Sequence, residues 1–313
     1  MKSLAFLTVS IVTAAAIWGA VGPSALARQP ETEPSPEPWR EMVLWDQNEP
    51  TNYSFAGVTA TISSERDERL QVLEVRAGGG PSKRFVIDDI GNDNDGSEPQ
   101  ALIGFADLDP NAAPGQVLLA TYSCYQSCGF TVRLAEQRHG SWYLVKIASA
   151  IRGGGLDFPA DLDGDGTLEL RMREDRLGEA YWLFDEDAPP RFLTVKAGRI
   201  IDVTTRPGFR AAFAALAARK KPACLKGIET ECAAFVAASA RAGAFEPAWR
   251  TMLATMPPHP ERRWNVCRIE FTRACPRRQE VWVRTFPEAL RWKLGQLGYL
   301  PPGPPPRPWQ GYR

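Results

Sequence analysis

The chain has 313 residues, 44% of them apolar and 24% charged, which is long enough and apolar enough for one large or two ordinary domains with a real core and excludes a chain without one. The formal net charge is zero, but the average hides a split. Residues 1–206 carry 19 Lys/Arg against 30 Asp/Glu, a net of −11, whereas residues 207–313 carry 18 against 7, a net of +11 with no Asp. Opposite signs in the two halves predict two structural units.

Residues 1–27 have the pattern of an export signal. Lys2 gives a positive start, Leu4–Val21 is uncharged and mostly apolar, and Ala25-Leu26-Ala27 offers the small-x-small pattern of a cleavage site. Cleavage after Ala27 is expected, so that the mature protein does not span the membrane and is periplasmic or secreted. Residues 28–39 are Pro- and Glu-rich and read as a flexible linker.

Residues 40–206 read as a mainly-β domain. Thr59–Ile62, Gln71–Val75, Val117–Tyr122, Ser141–Ile147 and Arg191–Val195 are short β-prone runs separated by Gly, Asp, Asn and Pro. From Arg206-Pro207-Gly208 the pattern becomes helical, and residues 207–300 read as a small basic α-helical domain. Phe209, Phe213 and Leu216 recur at helical spacing; Glu229–Ala242 and a run beginning after Pro247 follow, and Phe286–Leu297 is the last helix expected. Residues 301–313 form a Pro-rich tail. The fold class is therefore α+β.

An even count of six cysteines in an exported chain favours disulfides, with 15 possible connectivities. Cys224/Cys232 and Cys267/Cys275 share the spacing C-x7-C, which suits local pairing; crossed pairs would tie a helical hairpin equally well. Cys124 and Cys128 would lie about 13 Å apart in an extended strand, too far for a disulfide, so the residues between them must turn. Zinc is the alternative for these thiols, but the chain has two His to offer it, His139 and His259.

The clearest chemical motif is Asp161-Leu-Asp163-Gly-Asp165-Gly166-Thr167-Leu-Glu169. Carboxylates at alternating positions converge when the chain curls around a hard cation, and Gly166 permits the turn. The carbonyl of Thr167 and the carboxylate of Glu169 complete the oxygen set, so Asp161, Asp163, Asp165, Thr167 and Glu169 are the expected calcium ligands. An EF-hand would require Glu where Met172 stands, and the residues after Glu169 alternate as a strand does. An acidic polar turn is the competing reading.

A D-x-D-x-D-G-x-x-E loop running into a strand resembles the calcium loop of FG-GAP/VCBS repeats, as in integrin-α-type β-propellers. The resemblance covers Asp161–Met172, and implies extracellular interaction or adhesion. Ala106-Asp107-Leu-Asp109, followed by Pro110 and Asn111, reads as a degenerate second copy 54 residues upstream, with two residues inserted before its strand. About 165 residues hold three or four blades at most, so a partial β-propeller-like sheet domain is expected rather than a closed ring.

Enzymatic signals are weak. His139 lies in a turn-like Gln-Arg-His-Gly, His259 lies between prolines, and the Gly78–Gly80 and Gly153–Gly155 runs lack the residues of a phosphate loop. The acidic turn Asn92–Gly96 reads as turn chemistry. The Arg-rich stretch interleaved with Trp264, Phe271 and Trp282 would suggest nucleic acid inside a cell. In an exported protein it points instead to an anionic cell-envelope component, another envelope protein, or a solvated face. The sequence thus predicts a non-enzymatic, calcium-binding envelope or secreted protein. The alternative is a secreted hydrolase acting on envelope polymers through a carboxylate pair.

Overall fold

The computed structural model describes residues 42–45, 51–65, 70–87, 101–125, 127–151, 157–181, 187–256, 263–269 and 275–304. All of them belong to one compact unit, Pro38–Arg313. The expected export signal, the linker, Asn92–Gly96, Gly153–Gly155, His259 and most of the Pro-rich tail lie outside the described residues.

Strands dominate the first part of the chain. β1 (Val43–Leu44) is short, and is followed by β2 (Thr51–Phe55), β3 (Val58–Glu65), β4 (Leu70–Ala77) and β5 (Lys83–Ile87). β2–β5 form an antiparallel four-stranded meander in sequence order. Its faces follow the side-chain period of two: Val58, Ala60 and Ile62 are buried while Thr59 and Thr61 between them are partly open.

The next strands are β6 (Ala101–Phe105), β7 (Val117–Tyr125), β8 (Ser127–Arg138) and β9 (Ser141–Ile151). With β1 they form a five-stranded sheet of order β1-β6-β7-β8-β9. This sheet is covered on both faces, which explains the unbroken apolar run Val117–Ala120 in β7. Val117 and Leu119 pack with Ile62, Leu73 and Val75 of the four-stranded sheet. Leu118 and Ala120 pack with Leu170, Met172, Leu193 and Val195 of a third sheet. Cys124 and Cys128 are direct partners across the β7–β8 hairpin, so the chain turns between them as their spacing requires.

The third sheet consists of β10 (Leu170–Arg173), β11 (Pro190–Lys196) and β12 (Arg199–Asp202), antiparallel in that order. A two-turn helix, α1 (Asp175–Tyr181), leaves β10.

The remaining chain is mostly helical. A single 3-10 turn, Pro207–Phe209, leads into α2 (Arg210–Cys224), followed by α3 (Glu229–Arg241) and α4 (Phe245–Thr255). Every residue from Cys232 to Ser239 of α3 is buried, and five of these eight are Ala or Ser, which lets neighbouring helices approach closely. Acidic Glu229 and Glu231 in its first turn and Arg241 in its last complement the helix dipole.

The Arg-rich stretch, within the span read as helical, contains a hairpin of β13 (Trp264–Cys267) and β14 (Glu280–Val283). Its apolar positions Val266, Val281 and Val283 pack with Ala289. The last helix, α5 (Phe286–Gln296), begins with Thr285 accepting the Glu288 N–H at 3.3 Å, in a Thr-x-x-Glu cap with Pro287 in the first turn. Both described disulfides are local: Cys224–Cys232 joins the end of α2 to α3, and Cys267–Cys275 closes onto β13.

The fold is α+β. Its helical core draws on the chain before residue 206, since Leu177, Tyr181 and Ala188 belong to the cluster built on α3. Phe192 of β11 stacks on Phe209, with ring centroids 4.0 Å apart, and meets Phe213 edge-on. Among the described residues no helix is long and apolar enough to cross a membrane.

Candidate metal centre

The Asp161–Glu169 loop is closed at its base by a backbone bridge between Ala160 and Glu169, which exchange hydrogen bonds of 3.1 and 2.8 Å. Within the loop, carboxylates fold the chain around themselves. Asp161 accepts the N–H groups of Gly164 (2.8 Å) and Gly166 (3.1 Å), Asp163 that of Asp165 (3.2 Å), and Asp165 that of Thr167 (2.8 Å). Gly164 and Gly166 have φ of +79° and +83°, a conformation strained for any residue with a Cβ, so the turn requires glycine.

Glu169 comes from the far side of the loop. One of its oxygens, Oε2, accepts the Leu162 N–H at 3.0 Å. The other, Oε1, is buried and accepts no hydrogen bond. Oxygens of Asp161, Asp163 and Glu169 lie within 4.8 Å of one another. A buried carboxylate oxygen without a donor is costly unless a cation satisfies it, so these residues fit a hard divalent ion. Burial raises the pKa of Glu169, and the neighbouring Asp163 and Asp165 add to the rise against the Leu162 N–H and Arg206. Asp165 is held below the usual carboxylate range, first by the Thr167 N–H.

Of the expected ligands, the structure gathers Asp161, Asp163 and Glu169, while Asp165 turns to a partner that local sequence does not reveal. Arg206, beyond the third sheet, reaches back into the loop. Its Nη1 lies 2.5 Å from Asp165 Oδ2, 3.4 Å from Asp163 Oδ2 and 3.5 Å from Glu169 Oε1. Gly208 presses on the same place, where a Cβ would come within 2.5 Å of Asp163 Cβ. Thr167 is present as the N–H donor to Asp165.

The upstream loop is built on the same plan. Ala106 N–H bonds to the Gln116 carbonyl at 3.1 Å, as Ala160 bonds to Glu169. By that bridge the upstream loop is longer by one residue, not two. Asp107 accepts the N–H groups of Gly115 and Gln116. Asp109, fully buried, accepts from the Asn111 backbone and side chain through Oδ1, and through Oδ2 from Gly198 N–H at 2.7 Å. Gln116 exchanges two hydrogen bonds with the Asp109 backbone, of 2.9 and 2.7 Å. Polar protein groups thus fill this loop.

Beside it, Glu136 is buried with neither oxygen accepting a hydrogen bond, although Arg138 lies 2.9 Å away as an ion pair. Burial pushes Glu136 up to about 7; Arg138 opposes the rise and Asp109 adds to it. Burial works against Asp109 as well, but backbone N–H groups of Asn111, Gly198 and Ala197 outweigh it and hold its pKa low. His139, with φ +51°, and Gly140 form the β8–β9 turn, in keeping with a turn reading of that segment.

Residues 209–298 match the family described as the sll0997 C-terminal domain, a span that begins just before α2 and ends just after α5. An uncharacterized protein, y4bJ, of Sinorhizobium fredii (strain NBRC 101917 / NGR234) is 23% identical over 281 residues, covering 85% of this chain. The aligned part is 43% of that relative, so the chain spans less than half of its length. No solved structure matches the chain.

Proposed function

We propose that this is an exported, disulfide-bonded protein of the envelope or secreted space, in which calcium rigidifies the Asp161–Glu169 loop and the protein serves a structural or interaction role. The observation that carries the reading is the convergence of Asp161, Asp163 and Glu169, with the buried Glu169 Oε1 accepting no hydrogen bond and its paired cation, Arg206, held 3.5 Å away. Asp165 and the Thr167 carbonyl complete the oxygen set that calcium requires. The loop runs into strand β10, in line with its resemblance to FG-GAP/VCBS calcium loops. The local disulfides suit an oxidising compartment. The basic C-terminal part would make the contacts, with an anionic envelope component or another envelope protein as partner.

The hydrolase alternative gains little from the carboxylates Asp109 and Glu136, whose pKa values are driven apart. Both are fully buried, and Asp109 is engaged by the Gly198 N–H.

Thermal unfolding of the oxidised protein with excess calcium and with chelator tests the reading. At a calcium concentration 100 times the dissociation constant, linkage predicts about 2.7 kcal/mol of added stability. Asp161→Asn, which leaves the Arg206 contacts in place, should abolish the calcium-dependent rise. Equal unfolding temperatures in millimolar calcium and in chelator would reduce the loop to an acidic turn.

A further inference from the structure

We propose that Arg206 is a tethered counter-cation for the Asp161–Glu169 loop, holding its carboxylates together without metal and withdrawing when calcium enters. The inference rests on the calcium reading above and adds a regulatory element to it. Three oxygens define the position. Arg206 Nη1 lies 2.5–3.5 Å from Asp163 Oδ2, Asp165 Oδ2 and Glu169 Oε1. Calcium would contact oxygens of the same side chains at about 2.3–2.6 Å. A guanidinium and a divalent ion cannot both sit that close to one set of three oxygens, because the volumes overlap and the charges repel.

The guanidinium does not satisfy the site fully. Glu169 Oε1 has no exposed surface and no hydrogen bond, and its distance to Arg206 is the longest of the three. Arg206 brings a single positive charge to three carboxylates, Asp163, Asp165 and Glu169, and Asp161 lies beside two of them. The cluster thus retains negative charge and an orphaned acceptor pointed inward, which a divalent ion would satisfy.

The upstream loop shows the other solution within the same chain. Gln116 stands where Glu169 stands, and Asp109 Oδ2 receives the Gly198 N–H where Asp163 Oδ2 faces Arg206. There the groups that satisfy the loop by hydrogen bonds are a glutamine and a backbone amide fixed in the fold. In the downstream loop the positive charge sits at the end of a long side chain, itself about a third exposed, which can swing out.

The backbone that carries this charge is anchored. Gly208 lies against Asp163, and Phe209 stacks on Phe192 before α2 begins. Calcium entry therefore moves the Arg206 side chain outward while Pro207–Phe209 keeps its place. Metal binding adds a free guanidinium to the surface at the start of the basic part of the chain.

Calcium titration calorimetry on the wild type, Arg206→Gln and Arg206→Lys tests the competition. A latch closed nine-tenths of the time weakens apparent affinity about tenfold, so Arg206→Gln should bind calcium about tenfold more tightly and Arg206→Lys close to wild type. Unchanged or weaker binding by folded Arg206→Gln, beside a wild type that binds, would overturn the latch and leave the calcium reading standing. Absence of binding by both proteins would remove the calcium reading itself. Labelling of wild-type Arg206 with phenylglyoxal, followed by peptide mass spectrometry, needs no variant. Calcium should speed modification at Arg206; an equal or slower rate would contradict its release.

Discussion

Gln116 and Glu169 hold equivalent places in two loops of one chain: each lies opposite the alanine of an Ala-Asp-Leu-Asp segment, and each accepts a backbone N–H from that segment through its side chain. The amide also donates to the Asp109 carbonyl at 2.7 Å, a bond the carboxylate of Glu169 cannot make. The upstream loop is thereby closed by a neutral amide and the downstream loop by a carboxylate.

Gln116→Glu should therefore destabilise the protein and create no second metal site. The substitution removes the donor to a buried carbonyl and sets a carboxylate beside buried Asp109, at a cost of about 1–3 kcal/mol or more. Urea unfolding measures the loss. A variant as stable as wild type would show that the two loops are not closed in the way described.

Glu136 gives a dependence on pH. Its folded pKa of about 7 stands above the ordinary 4.5, so the folded state holds a proton that the unfolded state releases. The resulting stability is complete below the ordinary value and is lost as pH rises toward 7, with a limiting slope of about 1.4 kcal/mol per pH unit. Glu136→Gln should flatten this part of the profile and gain on wild type above neutrality. Matched urea midpoints at several pH values decide it, and parallel profiles for the two proteins would contradict the account.

Phe209 joins the third sheet to the helical part through its stack on Phe192. It is 2% exposed, and Phe209→Ala should cost about 3–5 kcal/mol. Loss of cooperativity in the unfolding curve would accompany the cost if the two parts depend on this contact. A change within about 0.5 kcal/mol would place the joint elsewhere.

The Cys224–Cys232 disulfide closes a short loop between α2 and α3 in the centre of the helical core. Replacing both cysteines by serine should cost about 2–4 kcal/mol, measured by chemical unfolding without reductant. Retained stability would show that packing around α3 suffices alone.

Much of this architecture is legible in the sequence because it depends on local pattern. The alternation in Val58–Ile62, the apolar run Val117–Ala120 and the helical spacing of Phe209, Phe213 and Leu216 all correspond to observed elements. The β13–β14 hairpin is hidden because its strands are four residues long and set among arginines, so the valine alternation is too brief to stand out. Helix α1 spans only seven residues, short of a readable helical period. At the loop, Asp161, Asp163 and Glu169 are legible from spacing alone. Arg206 is not, because 41 residues separate it from Asp165 and nothing local marks it. The equivalence of Gln116 to Glu169 becomes visible through the Ala106 and Ala160 bridges rather than through the acidic residues.

A crystal structure of the oxidised protein grown in millimolar calcium, with anomalous scattering to identify the ion, tests the calcium site directly. One calcium is expected, bound by Asp161, Asp163, Asp165, the Thr167 carbonyl and Glu169 at about 2.3–2.6 Å, with the Arg206 guanidinium turned away. A loop free of metal under those conditions, with Arg206 still on Asp163 and Asp165, would contradict that expectation.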